Sequence, residues 1–148
     1  MRFSKTTDYA LRVMVALASV SDTRLSLQYL STREKIPRKF LEHVVRSLKE
    51  ADLVLSTPGP KGGYQLARPA NLIPVGEILQ AVQGPLIPMD RLGSANLPHH
   101  LHDPLTRLRN VVGDIRAFAR QKLDSFSLAD LAEVKEIPNA HESLMYYI

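Results

Sequence analysis

One proline constrains this chain more than any other residue. Pro37 stands between two segments of helical periodicity, LQYLSTREK (27–35) and KFLEHVVRSLKEADLV (39–54), and forces a turn where they meet. Ser26 is placed to cap the first segment, and Pro37 suits the start of the second, where no backbone donor is needed. The second helix, expected over 37–52, sets Phe40, Leu41, Val44, Val45, Leu48 and Leu53 on one side. Arg38, Lys39, Glu42, His43, Arg46 and Lys49 lie on the other. Two helices joined by a tight turn, the second cationic on its outer face, form a helix-turn-helix pattern.

The next segment strengthens that reading. LVLSTPGPKGGYQLARP (53–69) reads as two short strands around a Pro/Gly turn, with Leu53 and Leu55 alternating before it and Tyr64 and Leu66 after it. A hairpin directly after a helix-turn-helix is the wing of a winged helix. Its tip combines close-approach glycines, Gly59 and Gly62, with one cation, Lys61, which suits a phosphate backbone or a minor groove. Charge agrees: residues 1–68 hold 12 Lys+Arg against 6 Asp+Glu, while 69–148 hold 7 against 9. A basic N-terminal half is expected to face a polyanion.

The remaining segments frame this unit. A first helix is expected from a Thr6 or Thr7 cap, with Asp8 favourably set in its first turn and Tyr9, Ala10, Val13, Met14, Leu17 and Ala18 on one buried face. Pro74 opens a helix over 75–84 that Gly84 ends. After the loop PMDRLGSANLPHHLHDP (88–104) comes a long helix carrying Leu105, Leu108, Val112, Ile115 and Ala119 at heptad-like spacing, widened by Val111 and Phe118. A small winged core cannot cover that seam, so helix-to-helix homodimerisation is expected. Ser127 caps one short final helix, SLADL. The fold class is therefore mainly α with a small β-hairpin wing. Residues 1–84 form the winged helix-turn-helix domain, 85–104 a sensor-type loop, and 105–148 the dimerisation helix and C-terminal segment.

Composition excludes several function classes. The chain of 148 residues has no cysteine, which removes disulfides, thiolate zinc sites and cysteine nucleophiles, and fits a reducing compartment. No apolar run reaches the roughly 18 residues of a membrane span. The charged N-terminus MRFSKTTDYALR does not read as a signal peptide, so a cytoplasmic location and no membrane partner are expected. Nothing resembles a nucleophile with a placed base or a phosphate-cradling loop, so an enzyme is not expected.

KTTDYALRVMVALA (5–18), IPRKFLEHVVRSLKEADLV (36–54) and GPKGGYQLARPANLIPVGEILQAVQG (59–84) together resemble the Rrf-two family of bacterial winged-helix transcription regulators. The resemblance implies a homodimer whose long helices cross, with double-stranded DNA as partner. Each recognition helix would enter a major groove of a palindromic operator, and each wing the neighbouring minor groove. The family's base-reading positions fall on Pro37, Arg38, Lys39, Glu42, His43 and Arg46. Many members carry arginine before the first wing glycine; here Pro58 stands there, which leaves Lys61 as a phosphate anchor.

Cluster-binding members hold cysteines between the wing domain and the dimer helix, where this chain has none, so no iron–sulfur cluster is expected. An acidic residue at the place of Asp8 ligates the cluster in one branch, but the helix dipole already accounts for Asp8 here. The loop's histidines leave two readings open. His99, His102 and Asp103 offer a divalent-metal ligand set, or the loop is solvated and receives a small-molecule or partner-protein effector. The leading expectation is a repressor that binds DNA without a cluster. The competing ones are a winged-helix module that binds a partner protein and a histidine-loop metal-responsive regulator.

Overall fold

The computed structural model describes residues 3–20, 23–84 and 104–133. Among these, α1 spans Lys5–Ala18, α2 Leu27–Glu34 and α3 Arg38–Glu50, followed by the strands β1 (Val54–Thr57) and β2 (Gly63–Leu66). A single 3₁₀ turn at Ala70–Leu72 leads into α4 (Val75–Gln83), and α5 (Pro104–Asp124) and α6 (Leu128–Ala132) complete the order.

The first helix begins earlier than either threonine suggests. Ser4 is its cap, extended at ψ 163°, and its hydroxyl accepts from the Thr7 backbone N–H at 3.2 Å. Thr7 is buried instead, and donates its hydroxyl to Gln83 Oε1 at 2.7 Å, which joins α1 to the end of α4. A hydroxyl sequestered in this way needs a partner, and Gln83 supplies it.

Between α2 and α3 the chain turns within three residues. Ser26 caps α2 as expected, and Lys35 ends it in the left-handed region at φ 54°. Ile36 is buried, and Pro37 is the cap of α3 rather than its first residue, its carbonyl accepting from Phe40 and Leu41 at 3.0 and 3.1 Å. The helix ends at Glu50, so the expected span of 37–52 shortens at both ends.

Leu41, Val44, Val45 and Leu48 are buried as expected, but Phe40 is 59% exposed. At about 100° per residue the four buried positions fill an arc of about 100°, and Phe40 falls outside its edge. The expected pairing of Leu53 with Leu55 is corrected in the same way. Leu53 still belongs to the turn after α3, its N–H bonded to the Leu48 carbonyl, and Val54 is the first strand residue to face the core. Inward and outward positions alternate from there, which leaves Leu55 exposed.

β1 and β2 pair antiparallel, Val54 opposite Leu66 and Thr57 opposite Gly63. Leu25 exchanges two backbone bonds of 2.9 Å with Tyr64 and adds a one-residue third edge. Met14, Leu30, Leu41, Leu48, Leu53, Ile73 and Ile78 share one core with Leu128 of α6.

α6 returns the chain to the winged body. The Leu128 N–H donates to the Ile73 carbonyl and the Val75 N–H to the Phe126 carbonyl, both at 2.8 Å. Beside them the end of α5 closes on Gly76, where an added Cβ would stand 2.4 Å from Asp124 Oδ1. Ser127 and Asp130 cap α6 reciprocally. Hydrogen bonds from the Ser127 backbone N–H and then its hydroxyl hold the Asp130 carboxyl below its ordinary pKa. No residue of 105–124 is buried within the single chain.

Candidate nucleic-acid interface

The core face of α3 fixes the direction of its other face. With Leu41, Val44, Val45 and Leu48 turned inward, Pro37 and the side chains of Arg38, Lys39, Glu42, His43, Arg46 and Lys49 are all turned outward, only His43 and Arg46 among them being open to solvent in differing degree. Arg38 Nε lies 3.1 Å from Glu42 Oε1, one turn along the helix. Both are more than half exposed, so the pair is worth well under about 1 kcal/mol and releases its guanidinium cheaply to a stronger acceptor.

The wing stands beside this face across an open groove. Glu42, Arg46 and Lys49 line one side of it, Ser56 and Tyr64 the other. The groove continues past Lys49 to Ser26 at the start of α2 and to Gly59 and Gly62 at the wing tip. One sugar–phosphate strand must pass between a helix in a major groove and a wing in the adjoining minor groove. Lys49 lies where that strand would run, and sequence reading placed it on the outer face without assigning it a contact. Its spacing of three residues from Arg46 was the available signal. The start of α2 gave no such signal, since its approach to the wing exists only in the fold.

The glycines of the wing differ in why they are needed. Gly59 is left-handed at φ 102° with open space around it. Gly62 donates to the Gly59 carbonyl at 2.9 Å, and a Cβ there would stand 2.0 Å from the Thr57 carbonyl oxygen. Any side chain at Gly62 therefore collides with the backbone of the turn itself. Lys61, beside Gly62 in the turn, is exposed at the tip.

Away from this face, α5 carries a second exposed surface. Leu105, Leu108, Val111, Ile115 and Phe118 are each between 47% and 61% exposed, while Val112 and Ala119 are partly covered. A row of large apolar groups open to solvent on one helix marks an interaction surface.

The expected metal ligands His99, His102 and Asp103 lie outside the described residues. Among the described residues, no three His, Cys, Asp or Glu side chains come together as a ligand set. Asp8 pairs with Arg12 at 3.0 Å. No helix among the described residues is long and apolar enough to cross a membrane.

Comparison with known proteins agrees with this geometry. The family model Rrf2, described as an iron-dependent transcriptional regulator, matches residues 3–134. A protein of Mycobacterium tuberculosis (strain H37Rv), provisionally named an HTH-type transcriptional regulator, is 37% identical over 133 residues, 89% of this chain and 81% of its own. Among solved structures, CymR (YrzC), the global cysteine regulator of B. subtilis, superposes with a TM-score of 0.71 at 27% identity, covering 92% of this chain and 99% of that one. IscR of T. potens superposes with a TM-score of 0.69 at 28% identity, covering 99% and 97%.

Proposed function

This chain belongs to the Rrf2 family of transcriptional regulators, and from that membership we propose that it acts as a homodimeric repressor on a palindromic operator. DNA binding is the activity of the family fold. A winged-helix module that has lost DNA and binds only a partner protein is not favoured, since the relatives are transcriptional regulators. The observation that carries the reading is the shared groove: the cationic face of α3 and the wing open onto it from opposite sides.

In this reading Arg38 forks onto a guanine edge and Glu42 accepts from a cytosine amino group or excludes the wrong base. Lys39, His43, Arg46 and Lys61 contact phosphates, and the exposed seam of α5 joins two chains so that two recognition helices face one side of the duplex. Residues 1–84 read DNA, 105–148 dimerise, and 85–104, lying between them in sequence, receive the signal. A cytoplasmic location accords with that role.

Iron enters the family's description, but the residues present do not fit a thiolate-held cluster. The chain has no cysteine, and the one acidic side chain of α1 is engaged with Arg12. A divalent ion at His99, His102 and Asp103 is read directly by metal analysis of protein purified without a histidine tag, where one equivalent per chain identifies it.

Two substitutions separate the assigned roles. Lys61→Ala weakens binding to operator and to random duplex about equally and reduces the slope of log affinity against log salt by about 1. Arg38→Ala costs about 1–3 kcal/mol of discrimination at one base pair in each half-site and leaves random binding nearly unchanged. Fluorescence anisotropy at several salt concentrations measures both. Parent-like behaviour of both variants on both DNAs would overturn the assignment.

A further inference from the structure

We propose that Phe40 reads a thymine in the major groove by packing its ring against the 5-methyl group, an inference that rests on the DNA-reading function above. The side chain is 59% exposed in the first turn of α3, the part of a recognition helix that reaches base edges. It is held in place: its ring lies 6.5 Å from that of Tyr9, tilted at 56°. A ring packed on one side only, at the start of a helix whose buried face is already filled, is turned toward an outside partner. Arg38, Lys39 and Arg46 on the same helix identify that partner as a polyanion rather than an apolar protein surface. Within a major groove the one apolar group on any base edge is the thymine methyl, and phenylalanine is among the side chains that meet it. Arg38 and Phe40 would then read neighbouring bases, one by charge and one by shape.

The test uses the full chain and the duplex it selects from a random pool. Each thymine is replaced in turn by deoxyuridine, which removes the methyl and keeps the pairing. At one position per half-site the parent is expected to lose about fourfold in affinity, and about fifteenfold with both half-sites changed, the worth of a methyl removed from water. Phe40→Ala is expected to bind the two duplexes alike, and Phe40→Leu to retain part of the preference. Parent-like thermal melting of both variants checks that their fold is intact. The assignment is overturned if no uracil position affects the parent more than Phe40→Ala, or if the selected half-site carries no thymine. A chain that selects no sequence at all overturns the DNA-reading account itself, a result distinct from sequence selection without a methyl effect.

Discussion

Replacing Ile115 and Phe118 together by glutamate is expected to convert the protein to a monomer and to weaken operator binding by at least about 100-fold. The two side chains are 54% and 61% exposed in the single chain, so its own fold loses little by the change. In a dimer they sit in the apolar seam with Leu105, Leu108 and Val111, and burying unpaired carboxylates there costs several kcal/mol for each. The affinity falls because a second half-site bound by a tethered partner adds an effective concentration that a free monomer lacks. Light scattering coupled to size exclusion reads the mass, and anisotropy reads the affinity. A double variant that stays dimeric, or a monomer that binds operator as the parent does, contradicts the role assigned to α5.

The second large effect falls on stability. Leu128→Ala removes a fully buried side chain that α6 inserts into the winged core, and is expected to cost about 2–5 kcal/mol. Against a total of about 5–15 kcal/mol that is a large fraction, and the melting temperature should fall by about 10 °C. Leu128 is the point at which the chain after the long helix is fixed to the body, backed by the bond from its N–H to the Ile73 carbonyl. Calorimetry of parent and variant gives the shift directly. A fall under about 2 °C means that α6 is not anchored as the structure places it.

The parts of this fold written in local chemistry were legible in the sequence. Ser26, Gly84 and Ser127 announce helix ends because caps act within one turn, and each stands where it was expected. The core side of α3 was legible as well, since four of its residues recur at helical spacing. Two kinds of information were not local. Phe40 lies just beyond the arc the core can fill, and residue type alone reads any phenylalanine as core. Leu55 was misplaced because the parity of a strand depends on which residue pairs first, and Val54 pairs first opposite Leu66. Likewise the Thr7–Gln83 bond joins residues 76 apart, so no cap rule could find it. On the candidate interface the cations of α3 were visible from charge and spacing. The place of Lys49 and Ser26 in the groove came only from packing α2 and α3 beside the wing.

Selection of duplexes from a random pool by the full chain tests the central reading most directly. The enriched sequence is expected to be an inverted repeat whose half-sites are centred about one helical turn, ~10 base pairs, or a multiple of it apart. It should take up two chains per duplex and bind at least about 1,000-fold more tightly than a shuffled sequence at physiological salt. A pool that converges on no sequence, with the shuffled duplex bound as tightly as any other, would contradict it.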